Sequence, residues 1–297
     1  MIAALLATLL ARIPPAAAQE RTPPLPVIPP PQLVWDPSWP EFRVGEYFLT
    51  GALSSLAIAG FAIPVGSGRW HATNAIDDGV RSALRLGTRS ARDMADDASD
   101  LMLTLTVNHA LFDAVVVAWW GHGRGSVGLQ MTLIDFEAIA FTTAVTSVTK
   151  GITARERPYF RECATDPSLA RLDDCEGNER YRSFFSGHTS TSFTAAGLTC
   201  MHHAHLDLYG GGALDAIACV TALGMATATG TLRIMSDNHY ATDVATGAVV
   251  GLASGLGLPW LLHYRGGAKP RGEASEERTA SVRVIPGPLS AALVGEF

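Results

Sequence analysis

The chain is expected to fold as an all-α bundle of six helices, associated with a membrane and extended at both ends. Two observations predict this. Six apolar segments, at about 46–65, 99–120, 126–149, 188–208, 212–232 and 240–263, are each long enough for four to six helical turns. Alanine, leucine and glycine dominate them, with none of the sustained alternation that strands require. The composition agrees. The chain is 47% hydrophobic and 17% charged, with a mean hydropathy of +0.18. That is more apolar than an ordinary soluble enzyme, yet less than a densely embedded bundle. A net charge of −6 and the lack of any basic stripe exclude a nucleic-acid partner.

The elements follow in order. Residues 1–18 ("MIAALLATLLARIPPAAA") read as an export signal: an apolar run, a Pro-Pro break and small residues before Gln19. Residues 19–44 are proline-rich, which predicts an extended linker with no core of its own. The helical domain is expected over 45–264. Its first apolar segment is almost free of charge, as a spanning helix should be. The next stretch, "NAIDDGVRSALRLGTRSARDMADD", is amphipathic and predicts a surface helix. Later segments carry Asp113, Asp135, Glu137 and Asp215, which are costly in a bilayer unless they face the bundle interior. Residues 265–297 read as a flexible tail with a hairpin turning at Pro286-Gly287.

Export and topology pull against each other. If the signal is cleaved, three spans would deliver the 150–187 connection to the cytoplasm. Either the bundle does not fully span, or the signal stays, or the site faces inward. The cysteines fit an oxidising compartment: Cys163 and Cys175 can form a local disulfide, while Cys200 and Cys219 can pair across neighbouring helices or lie buried as small hydrophobes.

Three short stretches at helix boundaries carry chemistry. "KGITARERP" places Lys150 ahead of Arg157-Pro158. "SGH" places Ser186, Gly187 and His188 at the opening of the fourth segment. "RIMSDNHYATD" places Arg233 before His239 and Asp243, an i,i+4 pair that one helical face would bring together. Arginine offers forked donors that match phosphate oxygens, and lysine adds a point charge. A helix N-terminus favours an oxyanion, and Gly187, lacking Cβ, lets backbone approach one. A carboxylate beside an imidazole fixes its tautomer. Together these residues can hold a tetrahedral oxyanion and attack it.

In this order and at these spacings, the three stretches resemble the type 2 phosphatidic acid phosphatase family, whose superfamily includes bacterial acid phosphatases and vanadium haloperoxidases. The resemblance spans about residues 98–263. It implies that His239 is a nucleophile forming a phosphohistidine, that Asp243 orients it, and that His188 is the general acid. It implies that Lys150, Arg157 and Arg233 clamp the phosphate, with Ser186 and Gly187 adding donors. It further implies no metal or other cofactor, and inhibition by vanadate as a phosphate mimic. Two positions depart from the family pattern: Phe185 stands for the usual proline before SGH, and Leu232 for the usual serine before Arg233. Neither supplies a catalytic group, although Leu232 removes one polar contact near the phosphate.

The expected activity is hydrolysis of a lipid phosphate or pyrophosphate in the cell envelope, with the site facing the periplasm from the inner membrane. A soluble periplasmic acid phosphatase acting on small phosphomonoesters is the first alternative. A vanadium haloperoxidase and a catalytically dead lipid-binding relative are the others. Outside these motifs, His109 with Asp113 reads as an interior hydrogen-bonded pair. His202, His203 and His205 read as a polar helix end, because their spacing points them in different directions.

Overall fold

The computed structural model describes residues 33–65, 67–165, 175, 177–266, 281–286 and 291–296. The expected export signal, most of the proline-rich segment and the acidic loop at 166–174 lie outside the described residues. The part of the linker that is described does not stay extended. Trp39 is buried, with its ring against Tyr264 at 4.9 Å and His205 at 5.6 Å, and Leu33 and Phe42 join the same core.

Among the described residues, eight helices arise from the six apolar segments and their connections. They are α1 (Val44–Ala62), α2 (Ala75–Leu84), α3 (Arg89–Phe112), α4 (Gly125–Thr153), α5 (Phe160–Thr165), α6 (Gly187–His205), α7 (Ala213–Met235) and α8 (Ala241–Leu252). Helix α3 runs on as a π-helical stretch, Asp113–Gly121, and α8 is extended by π turns as far as Tyr264. In the tail, β1 (Ser281–Pro286) pairs antiparallel with β2 (Ala291–Glu296), Ser281 opposite Glu296.

The amphipathic stretch at 74–97 is not one surface helix. Two N-caps divide it. The Asn74 side chain accepts from the amides of Ile76 and Asp77, and Thr88 accepts from Ala91. Between them the Leu86 amide turns away to the Met235 carbonyl at 3.1 Å. The second half of the stretch therefore becomes the first turns of the long helix α3.

Among the described residues, five helical runs are long and apolar enough to cross a membrane: α1, α3 with its extension, α4, α7, and α8 with its extension. Much of their apolar surface faces outward, including Phe48, Ile58 and Trp120. An exposed apolar surface of this extent marks contact with lipid. Asp113, Asp135, Glu137 and Asp215, acidic residues of the apolar segments, are buried and find partners inside the bundle. Asp135 bonds His202 at 2.9 Å, and Glu137 lies 3.4 Å from His263.

Helix α6 is enclosed by the others, and glycines on α8 set how closely the two approach. Gly247, Gly251 and Gly255 recur every four residues, opposite Ser186, Ser190 and Thr194 of the α6 segment. A Cβ at Gly247 would sit 2.8 Å from the Ser186 carbonyl oxygen, and the other two positions are tighter still. Small residues at this spacing let helix backbones touch. The contact places the start of α8 against the start of α6, where two of the three motifs lie. Gly251→Leu should therefore cost about 1–3 kcal/mol of stability by overpacking. Thermal unfolding in detergent checks this, and an unchanged midpoint would contradict it.

Candidate active site

The motif residues gather at one end of the bundle. Lys150 lies in the last turn of α4, Ser186 is the N-cap of α6, Arg233 lies in the last turn of α7, and Asp243 lies in the first turn of α8. Arg157 follows α4 in a connection that is stitched to its surroundings. Its amide donates to the Arg180 carbonyl at 2.7 Å, its Nε donates to the Glu179 carbonyl at 2.9 Å, and its Nη1 donates to Asn238 Oδ1 at 2.8 Å. Lys150, Arg157, Ser186, Arg233, His239 and Asp243 are all buried.

Gly187 permits the close approach that the sequence suggests. A Cβ built there would lie 3.6 Å from the Lys150 ammonium nitrogen, so the cation rests against the first turn of α6. Ser186 Oγ accepts from the Thr189 hydroxyl at 2.9 Å. Its own proton remains available to a ligand. The Phe184–Phe185 peptide bond just before it is cis.

His239 does not sit on a helical face with Asp243. It precedes the N-cap, Tyr240, and the two side chains meet across the turn into α8 with Nδ1 at 3.6 Å from Asp243 Oδ2. Neither ring nitrogen of His239 has a hydrogen-bond partner among the described residues. With Nδ1 toward the carboxylate, Nε2 is left as the free lone pair.

The charges around His239 explain its protonation state. Burial pushes its pKa well below the usual imidazole value, and Arg157, Lys150, Arg233 and His188 push it the same way. His188 is lowered to about 3, first by burial and then by Arg233, Lys150 and Arg157. Asp100, 2.8 Å from His188 Nε2, acts in the opposite sense, but its side chain is more than half exposed and water screens it. Both imidazoles are thus neutral near pH 7, inside a field set by the same three cations.

A cavity of about 430 Å³ opens onto this end and is lined by His188, Arg157, Arg233 and Asn238, with the Cys163–Cys175 disulfide in its wall. Lys150 and His239 are not part of its lining and are almost fully buried. The arrangement can hold an oxyanion among three cations and present a neutral nitrogen to it.

Several residues that complete the site were not expected. Asp96 of α3 pairs with Arg233, and its Oδ1 accepts from Asn238 at 2.9 Å. Asp243 is held by three donors: Ser183 Oγ at 2.6 Å, the Tyr240 amide at 3.0 Å and Arg155 Nη1 at 2.5 Å. Arg155 is fully buried between the Trp70 and Tyr240 rings, and its other arm bonds Asp77 of α2 at 2.6 Å. Asp77 returns to the start of α8 by accepting from the Thr242 amide at 2.9 Å. Asp237, which has φ of +64°, is anchored by Arg81 at 2.6 Å and Arg85 at 2.8 Å. The one sequence signal was Arg155 itself, lying inside "KGITARERP".

Residues 132–266 match the family model described as the PAP2 superfamily. The match supports the type 2 phosphatidic acid phosphatase superfamily for that segment, which holds all eight motif residues. It also supports phosphate-ester hydrolysis as the class of activity. No curated protein and no solved structure matched the chain. Helices α1 to α3 lie outside the matched segment, so Asp77, Arg81, Arg85, Asp96 and Asp100 reach the site from beyond it.

An oxyanion among the three cations should offset their effect and raise the pKa of His188. In histidine NMR spectra, with His188→Gln giving the assignment, His188 should remain neutral at pH 5 and gain a proton at that pH when vanadate is added. A His188 that titrates near 6.5 in both states would contradict this electrostatic description.

Proposed function

We propose that the protein is a metal-independent phosphatase that hydrolyses a lipid phosphate or pyrophosphate through a phosphohistidine at His239. The observation that carries this reading is a neutral, buried imidazole within the field of Lys150, Arg157 and Arg233. Phosphoryl transfer asks little covalent chemistry of a protein and much charge stabilisation.

In the first step His239 Nε2 attacks phosphorus while the bond to the leaving oxygen breaks. His188, protonated once the phosphate offsets the cations, donates its proton to that oxygen. Asp243 stabilises the positive charge that develops on the His239 ring. In the second step His188, now neutral, takes a proton from water as the water oxygen attacks phosphorus. Inorganic phosphate leaves and the His239 lone pair is restored.

Arg155 is a positioning residue in this reading. It touches no reacting atom but fixes one Asp243 oxygen, which leaves the other facing His239. The exposed apolar helices support a lipid substrate, and the disulfide in the cavity wall supports a site facing an oxidising compartment. Because α1 runs toward the site end, residue 33 lies at the opposite end of the bundle. A spanning bundle with an outward site therefore keeps residue 33 on the inner side. The soluble periplasmic reading has one specific observation in its favour: Cys200–Cys219 joins α6 to α7 near the end away from the site. Extraction without detergent separates the two.

His239→Ala should abolish turnover of a generic phosphomonoester, and vanadate should inhibit the wild type. Arg155→Lys keeps the charge but loses the fork. It should lower kcat about tenfold or more while KM changes little. Full activity in His239→Ala would remove the assigned nucleophile, and an unchanged kcat in Arg155→Lys would remove the positioning role.

A further inference from the structure

Two sequence features that catalysis does not use meet at the far end of the bundle. His109 and Asp113, one turn apart on α3 and its extension, face His203 near the end of α6. His203 is fifteen residues beyond His188, about 22 Å along the helix at 1.5 Å per residue. Among the described residues this is the one place where three such side chains converge, with one ligating atom from each within 4.8 Å of the others.

The geometry has the pattern of a metal centre with its supporting residues. His203 Nε2 lies 3.1 Å from Asp113 Oδ2, and His109 Nε2 lies 3.6 Å from the same oxygen. Ligands in a tetrahedral zinc site are about 3.3 Å apart. These two separations already fit, and the third need close by at most about 1.5 Å. His203 Nδ1 faces Asp215 Oδ1 at 2.5 Å, and that carboxylate is itself held by the amides of Tyr209 at 3.1 Å and Gly211 at 2.6 Å. A carboxylate behind a ligating imidazole fixes its tautomer and raises its basicity. Tyr209 Oη lies 2.6 Å from Asp113 Oδ1 and 3.5 Å from His109 Nε2, beside the fourth position.

Charge and hydrogen bonding point the same way. Asp113 and Asp215 are both buried, and their ion-pair partners are imidazoles. A proton shared with His203 would leave the group one negative charge in excess, whereas a divalent cation balances both carboxylates with neutral rings. His109 enters the cluster without a short hydrogen bond, and its Nδ1 is buried with no partner among the described residues. Asp113 also opens the π-helical stretch, a local widening common at functional sites.

We propose that His109, Asp113 and His203 bind one divalent transition-metal ion of the zinc class, with Asp215 orienting His203 and Tyr209 beside the fourth ligand position. The ion ties α3 to the ends of α6 and α7. It takes no part in phosphoryl transfer.

The test uses the full chain, purified without a polyhistidine tag, stripped with a chelator and reloaded with Zn²⁺ or Co²⁺. The expected result is about one equivalent of zinc by elemental analysis, visible Co²⁺ absorption typical of four or five ligands, and a lower unfolding midpoint after stripping. His109→Ala, whose position is partly exposed, should drop the metal content below about a tenth of an equivalent, while His239→Ala should keep it. Should His109→Ala fail to fold, Tyr209→Phe should instead shift the Co²⁺ spectrum at unchanged stoichiometry. No metal in the wild type, or full retention in His109→Ala, overturns the site and leaves a protonated His203 between two carboxylates. None of these readouts depends on phosphatase activity.

Discussion

Three cations held together away from water are the constraint on which the rest of the site depends. Two like charges about 6 Å apart near a protein surface repel by about 3 kcal/mol, and burial adds a desolvation cost to each. The fold offsets this in two ways. Carboxylates outside the family segment, Asp96 and Asp100, approach Arg233, and Glu179 approaches Arg157. The imidazoles meanwhile stay neutral. In the proposed mechanism, the same imbalance that must be held in check is what draws a phosphate dianion in.

Helix α2 and the arginine ahead of the family's Arg-Pro pair act as a brace on this arrangement. Asp77 joins Arg155 to the Thr242 amide, while Arg81 and Arg85 grip Asp237 in its left-handed conformation. Both sets of contacts converge on residues 237–243, the connection that carries His239. Tight packing of α8 on α6 does the remaining alignment, since the glycines at 247, 251 and 255 allow the backbones to meet.

The sequence was most legible where a single local signal sufficed. Apolar runs of about twenty residues announced the long helices, and the Lys-Arg, Ser-Gly-His and Arg-His-Asp stretches announced the residues that the fold gathers at one end of the bundle. It was less legible where a residue's partner lies far along the chain. Nothing local ties Arg155 to Asp77, 78 positions away, or His203 to Asp113, 90 away. Asp77 read as an ordinary charge, and Asp113 as the partner of His109 alone, until the fold brings their distant partners to them. The division of 74–97 also depended on a distant group, the Met235 carbonyl that receives the Leu86 amide. His239 and Asp243 meet as expected but by another route, because the helix begins after the histidine.

The most direct measurement is a rapid-quench experiment with a ³²P-labelled phosphomonoester, followed by mapping of the labelled protein. The account predicts a phosphoenzyme that is labile in acid and stable in alkali, with the label on His239 and formed within a single turnover. Turnover with no labelled protein at any time point, or label on another side chain, would contradict it.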